Sequence, residues 1–276
     1  MTADRPPRVL VTNDDGVHAP GIRALARAAY ERGMDVVVAA PEAEASGMSA
    51  ALSAVTDDGR LVFRETELDG LPGVPAYAVA ASPAYIAVLA GLGVFGPVPD
   101  LLLSGINRGA NAGHAVLHSG TVGAALTAGN NGIRALAVSL DVLTPAEASA
   151  GSGGAAIAVL DSLDDESRHW STAAELAATL LPWLAGADPG TVLNLNVPDL
   201  PADRVAGLRQ AMLAPFGQVQ VSVAERGEGF VRTAVEANAV RAVPGTDIAW
   251  LADGYAAVTA IRALGHLPDV ELPVDR

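Results

Sequence analysis

The chain has 276 residues, a formal net charge of −14, half of its residues hydrophobic and only 17% charged, enough for one large α/β domain, or a domain plus an appendage, around a sizeable core. The acidic balance argues against duplex nucleic acid or an anionic membrane as a partner held by a basic surface, although a bound cation could still draw in a small anionic substrate. Cysteine is absent and all 17 basic residues are arginine, which excludes disulfides, thiolate zinc sites, a cysteine nucleophile, a Walker A lysine and Schiff-base chemistry.

The first ten residues, MTADRPPRVL, carry no apolar segment ahead of the first strand, and no run approaches the ~18 apolar residues of a membrane span. A cytoplasmic protein is expected. Residues 8–13 read as a short buried strand, and Ile22, Leu25, Ala26, Ala29 and Tyr30 then recur at helical spacing up to Gly33. Residues 36–40 form a second buried strand ending at Pro41. Strand, helix and strand in so few residues make a βαβ unit, which needs a parallel sheet.

The stretch from Glu42 to Ser53 is irregular, residues 60–66 and 76–80 read as strands, and Pro83 opens a helix to about Leu92. A buried strand from Asp100 stops at Ser104-Gly105, a glycine-rich loop follows, and a helix begins near residues 119–121. Residues 135–140 read as a strand, 144–156 as a flexible surface connection, 171–185 as a helix and 191–197 as the last core strand. After Pro201 the texture changes to shorter β-like runs at 205–213, 218–224, 229–236 and 255–261. The expected division is therefore a core over residues 1–200 and a β-rich extension over 201–276 suited to oligomer contacts.

Asp14 and Asp15 close the first strand, on the side where open α/β sheets bind their ligands. A doubled carboxylate at that rim suits a hard divalent cation, and oxygen ligands select Mg²⁺, Mn²⁺ or Ca²⁺ over zinc. An Asp-Gly turn beside a helix start would account for the same residues structurally. Asn13 could orient a carboxylate or touch the substrate. Ser46-Gly47, after the second strand, could complete the metal shell, though Ser-Gly is also a common loop.

Asn107, just past the strand at 100–103, could join the metal through its amide oxygen or reach a phosphate through its NH₂, with Asn111 four residues on. The spacing of Gly105, Gly109 and Gly113 is not a dinucleotide fingerprint. Ser119-Gly120-Thr121 lie at a helix start, where free N–H groups favour an anion, and either hydroxyl could equally be a plain N-cap. Arg108 is the nearest cation and could meet phosphate or solvent. His18, His114 and His118 fall in these loops and could protonate a leaving group, whereas His169 and His266 do not. Gly245-Thr246-Asp247 reads as a turn opening a short helix. Three strand-end loops thus deliver Asp, Asp, Ser and Asn to one rim, together with an anion-ready helix start, the pattern of a metal-dependent phosphate site.

With those segments in view, TNDDGVHAPGI (12–22), Ser46-Gly47, SGINRGANAG (104–113), SGTVGAA (119–125), ALAVSL (135–140) and, more weakly, LNLNVP (193–198) and residues 245–255, the chain resembles the SurE family of metal-dependent nucleotidases. The resemblance implies a Rossmann-like three-layer α/β core with a mostly parallel sheet and a C-terminal extension used in homodimer or homotetramer assembly. It also implies hydrolysis of nucleoside 5′- and 3′-monophosphates, with one Mg²⁺ or Mn²⁺ per subunit. The family's ligands fall on Asp14, Asp15, Ser46 and Asn107. Its phosphate-side neighbours fall on Asn13, Gly47, Asn111, Ser119, Gly120 and Thr121, and Asp14, Asp15, Asn111 and Ser119 form the implied catalytic set.

The chain departs from the family at His118 (usually Tyr), at Thr127 (usually acidic) and at residues 81–86, changes that bear on the pocket wall rather than the metal shell. Water attack oriented by an aspartate, more naturally Asp15, and direct attack by an aspartate are both open mechanisms. A haloacid-dehalogenase-type phosphatase or a receiver domain would need a lysine that is absent. A phosphatase for a specialised metabolite and a binding module without turnover are the other readings.

Overall fold

A computed structural model describes residues 5–45, 47–142, 165–216, 219–237 and 243–262. The expected connection at 144–156 and the residues Ser46 and His266 lie outside the described residues. The architecture is an α/β sandwich on a nine-stranded sheet. Strand β1 (Arg8–Thr12) leads through helix α1 (Pro20–Glu31) to β2 (Asp35–Pro41), and both β1 and β2 run parallel to each other as the βαβ pattern requires. After short β3 (Thr56–Asp57), β4 (Arg60–Leu61) and β5 (Phe63–Thr66), strand β6 (Ala76–Val79) adds parallel to β2, and β5 closes that edge antiparallel. The expected single strand at 60–66 is thus two pieces, because residues 60–61 turn back on 56–57 while 63–66 pair with β6.

Helix α2 (Pro83–Gly91) precedes β7 (Leu101–Arg108), α3 (Gly120–Asn130), β8 (Arg134–Asp141), α4 (Trp170–Gly186) and β9 (Val192–Pro198). Strand β7 pairs with β1 on the side opposite β2, and β8 and β9 continue outward from it, all parallel. The direction of winding therefore reverses between β1 and β7, and the reversal opens a crevice at the carboxyl ends of these two strands.

Beyond residue 200 the chain splits its contributions. Strands β10 (Leu208–Gln210) and β13 (Ala256–Ile261) extend the same sheet, β13 antiparallel to β9, with α5 (Asp247–Ala252) between them in sequence. Strands β11 (Val219–Gly227) and β12 (Phe230–Ala237) pair with each other in a separate antiparallel ribbon. Thr246 caps α5, accepting from Ala249 N, as the Gly-Thr-Asp turn suggested.

Alternation along β1 explains the layering. Val9 and Val11 point into one core with Ile22 and Leu25 of α1 and Ala173, Ala177 and Leu181 of α4. Leu10 points the other way, into a core with Ile86 and Ala87 of α2 and Val122 and Ala125 of α3. Both faces are covered, which is why these strands read as unbroken apolar runs. No helix among the described residues is long and apolar enough to cross a membrane.

Two glycines let the site's elements meet. A Cβ on Gly21 would sit 2.0 Å from the Ile106 carbonyl oxygen, so α1 can start directly against β7 only without a side chain there. Gly105, at φ +133°, would place a Cβ 2.2 Å from the Val138 oxygen. The register of β7 on β8 slips between Ser104 and Asn107 and then resumes with Asn107 opposite Ser139. Asn107 is accordingly inside the last turn of the pleat rather than beyond the strand, because the irregularity at Gly105 interrupts pairing without ending it.

Candidate active site

The chain leaves β1 through buried Asn13 and Asp14, and the partly buried Asp15, at the mouth of the crevice. Asn13 closes the turn by donating its Nδ2 to the Gly16 carbonyl at 2.9 Å, and Gly16 supplies the positive φ of +101° that the turn needs. Asn13 Oδ1 is buried with no hydrogen-bond partner. The Ala45 N–H donates to the Asp14 carbonyl at 2.8 Å, tying the loop after β2 to the aspartate pair.

Asp14 is only 4% exposed. The Thr121 hydroxyl donates a short hydrogen bond to its Oδ1. On its other side sits Gly120, where a Cβ would be 2.7 Å from Asp14 Oδ2. The start of α3 is thus moulded onto this carboxylate. Ser119 supplies the N-cap, its Oγ accepting from Val122 N at 3.1 Å. Thr121, a residue that could also have been a cap, spends its hydroxyl on Asp14 instead.

Asp15 Oδ2 accepts from the Arg108 backbone N–H at 3.3 Å, which joins the end of β1 to the end of β7. Asn107 donates its Nδ2 to the Gly109 carbonyl at 2.7 Å, a bond that orients the amide. The Arg108 guanidinium lies 3.7 Å from Asp165 Oδ2 and is largely buried. Asn111 is tethered by residues that looked like plain strand: its N–H donates to Asn196 Oδ1 at 2.8 Å and its Nδ2 to Ser139 Oγ at 2.9 Å. Its carbonyl accepts from both Asn194 and Asn196.

Burial pushes the Asp14 carboxyl above its ordinary range, partly opposed by the Thr121 hydrogen bond. Burial, and then the neighbouring charge of Asp14, push Asp15 up to about 7, against the backbone N–H and charge of Arg108. Two adjacent, desolvated carboxylates with raised proton affinity are what an all-oxygen cation site looks like before its cation binds. Among the described residues no cluster of three or more His, Cys, Asp or Glu side chains is placed to hold a metal. A shell built here draws on two carboxylates and neutral amide or hydroxyl oxygens.

Gly47 is exposed, at φ +75°, with open space around it. His18 is exposed, and His114 and His118 are exposed at the edge of a cavity of about 730 Å³ that runs beside α3. That cavity is lined by residues 49–52, the 3₁₀ turn Gly113–His118 and the Gly123, Leu126, Thr127, Asn130 face of α3, and Asp14 and Asp15 are not among its walls. His169 sits at the start of α4, its Nδ1 2.8 Å from Asp199 Oδ1.

The aspartate pair thus meets the α3 start through Thr121 and Gly120, and the end of β7 through the Arg108 backbone N–H. Sequence reasoning missed Ser139, Asn194 and Asn196, and read no more than a turn at Asp247. The last is fully buried and accepts from the N–H groups of Gly113 (2.8 Å), Ala214 (2.9 Å) and Ile248 (2.9 Å), holding the 113–118 turn from a distant part of the chain.

Residues 9–219 match the model of the Survival protein SurE family. The chain belongs to that family. SurE relatives named 5′/3′-nucleotidase include one from Escherichia coli O127:H6 (strain E2348/69 / EPEC), 35% identical over 261 residues, which span 92% of this chain and 90% of the relative. One from Shigella dysenteriae serotype 1 (strain Sd197) matches to the same extent. The crystal structure of the SurE protein from Aquifex aeolicus superposes with a TM-score of 0.70 at 27% identity, covering 93% of each chain. The SurE assignment agrees with the three-layer fold and with the aspartate pair at its winding reversal.

Proposed function

We propose that this SurE-family chain is a metal-dependent phosphomonoesterase that hydrolyses nucleoside monophosphates, with Asp14 and Asp15 as its centre. The observation that carries the reading is the adjacent pair of carboxylates, Asp14 buried against the N-terminus of α3 and the partly buried Asp15 against the end of β7, in a chain whose 5′/3′-nucleotidase relatives align over nine-tenths of its length.

The donor set fits a hard cation. Asp14, Asp15 and Asn107 would hold it, with Ser46 as the fourth ligand implied by the resemblance, and the unpartnered Asn13 Oδ1 beside them adds a further oxygen. Mg²⁺ or Mn²⁺ suits such oxygens, whereas zinc sites favour nitrogen and sulfur. When bound, the cation supplies Lewis-acid polarisation of a phosphoryl oxygen and activates water.

The protein's own groups do the rest. Thr121 and Gly120 fix the Asp14 carboxylate in one orientation. Asp15, held by the Arg108 N–H, orients the attacking water and takes its proton. The Val122 N–H is spent on the Ser119 cap, and Gly123 N–H bonds the Ser119 carbonyl. The Thr121 N–H, like its hydroxyl, is turned to the Asp14 carboxylate, which leaves the first N–H of α3, on Gly120, to face the phosphoryl oxygens as their charge shifts. The resemblance puts Asn111 and Gly47 on the phosphate side of the site. As water adds to phosphorus, the bond to the sugar oxygen breaks, that oxygen takes a proton from solvent to leave as the nucleoside hydroxyl, and Asp15 returns its proton to solvent as inorganic phosphate departs.

Self-association into a dimer or tetramer through the extension at 201–276 is part of this reading. The β11–β12 ribbon pairs only with itself among the described strands and exposes Phe230 and Val231, which supports it. The function is tested by phosphate release from nucleoside 5′- and 3′-monophosphates with Mn²⁺ or Mg²⁺. Turnover that EDTA stops and metal restores is expected, and metal-independent turnover, or none with any divalent ion, would refute it.

A further inference from the structure

We infer that Ser139 is a positioning residue for the phosphate end of the site, acting through Asn111, whose side-chain amide it turns toward the phosphoryl group while Asn194 and Asn196 clamp the backbone. The inference rests on the nucleotidase reading above and adds how one phosphate-side group is held.

Strands covered on both faces are expected to be apolar throughout, and β8 and β9 depart from that at three places. Ser139, Asn194 and Asn196 are all fully buried. Val138 and Leu140 flank the first, Leu193, Leu195 and Val197 interleave with the other two, and all five enter the core under α1 and α4. Alternation therefore turns the three polar groups to the opposite face, the one α3 covers. Register sets Ser139 between Asn107 of β7 and Asn196 of β9. A buried polar group destabilises a core unless it finds a hydrogen bond. Every hydrogen bond that these three side chains make among the described residues goes to one partner, Asn111.

Those bonds are of two kinds. Asn196 accepts from the Asn111 N–H at 2.8 Å and donates to its carbonyl at 3.1 Å, and Asn194 donates to the same carbonyl at 2.8 Å. They satisfy backbone groups, which any buried turn requires. Ser139 is different. Its Oγ accepts from Asn111 Nδ2 at 2.9 Å, a bond that no backbone group needs and that fixes the side chain alone.

The consequence is an oriented amide. The amide nitrogen carries two N–H groups. With one spent on Ser139, the nitrogen end is pinned and the other N–H is offered to a phosphoryl oxygen. The reverse orientation would present Oδ1, which an anion repels. The chain runs from Asn107 through Asn111 and the turn at Gly113–His118 to Ser119, the cap of α3. Asn111 thus stands in the segment that links the cation side of the site to the helix start.

The test is a double-mutant cycle of Ser139→Ala and Asn111→Ala. It is read by kcat/KM for adenosine 5′-monophosphate at saturating Mn²⁺ and by calorimetric titration of inorganic phosphate into the Mn²⁺-loaded protein. Ser139→Ala removes the acceptor with little change of shape, and Asn111→Ala keeps the backbone clamp, so both should fold, with Tm within about 4 °C of wild type. Asn111→Ala is expected to lose about a hundredfold in kcat/KM, the scale of one donor to developing charge. Ser139→Ala should lose about tenfold, through a misplaced donor, with phosphate bound more weakly by a similar factor and Mn²⁺ affinity within about twofold of wild type. In the Asn111→Ala background Ser139→Ala should have no further effect. Wild-type turnover in Ser139→Ala, or its full loss repeated in the Asn111→Ala background, overturns the inference. So does a fall in Mn²⁺ affinity as large as the fall in turnover, which would place its action on Asn107. Wild-type turnover in Asn111→Ala overturns it while leaving the nucleotidase reading standing, and a wild-type protein without metal-dependent phosphate release refutes both.

Discussion

Replacing Gly120 by alanine should damage the site more than the fold. The new Cβ would lie 2.7 Å from Asp14 Oδ2, 3.1 Å from its Cβ and 3.2 Å from its Cγ. Comfortable contact begins at about 3.5 Å, so Asp14 or the helix start must move by roughly half an ångström or more. Asp14 cannot simply swing aside, because it is 4% exposed and its other oxygen is held by Thr121. In an ordinary helix the exchange is favourable by about 1 kcal/mol, while overpacking costs about 1–3 kcal/mol. Net stability should therefore fall by about 2 kcal/mol at most. Catalytic constellations tolerate only about 0.5 Å of displacement, and about 1 Å can cost a hundredfold. The expected outcome is a tenfold to hundredfold loss of kcat/KM, read by phosphate release from adenosine 5′-monophosphate at saturating Mn²⁺, with Tm in EDTA measured alongside. Wild-type turnover and wild-type metal affinity in Gly120→Ala would refute the claim that α3 is moulded onto a working carboxylate.

Thr121→Val keeps the shape but removes the donor to Asp14, and should weaken Mn²⁺ binding by about tenfold to a hundredfold, as loss of a ligand's hydrogen-bond partner does, measured by calorimetric titration. Asp247→Ala should cost about 3 kcal/mol or more in urea unfolding, since three buried N–H groups lose their acceptor together. It should also loosen the 113–118 turn, seen as faster amide exchange there. The metal-free protein should lose stability as pH rises. The Asp15 carboxyl is raised to about 7 in the fold against an ordinary 3.8, so its contribution is fully present below about 4 and is lost as pH climbs through 7. Tm measured in EDTA should fall across that window, Asp15→Asn should flatten the slope, and Mn²⁺ should restore stability at neutral pH.

What could be read from the residues follows from how local each signal was. The αβα core was legible because strands covered on both faces, such as residues 36–40, must be apolar throughout, and the helices between them keep a helical period. Asp14 and Asp15 stood out because no packing role calls for paired charge at a strand end. Ser139, Asn194 and Asn196 gave no such signal. Each sits inside an apolar strand and acquires its role only when β8 and β9 run alongside Asn111. Asp247 reaches Gly113 across 134 residues, a partnership with no local signature at all. The extent of β7 was misjudged for a different reason. Gly105 does interrupt pairing, but the strand recovers by slipping its register, and a glycine alone does not say which of the two will happen. In the C-terminal part, runs of strand-forming residues were evident, yet whether they joined the main sheet, as β10 and β13 do, or paired apart, as β11 and β12 do, depends on contacts across the fold.

The most direct test of the site is to measure Mn²⁺ binding and phosphate release from adenosine 5′-monophosphate in Asp14→Asn and Asp15→Asn beside wild type, with unfolding curves to verify the fold. Both variants are expected to remain folded, to bind Mn²⁺ at least about a hundredfold more weakly and to lose metal-dependent turnover, since each removes one of only two charges that hold the cation. Full metal-dependent turnover in either variant would contradict the assignment of the aspartate pair as the centre of the reaction.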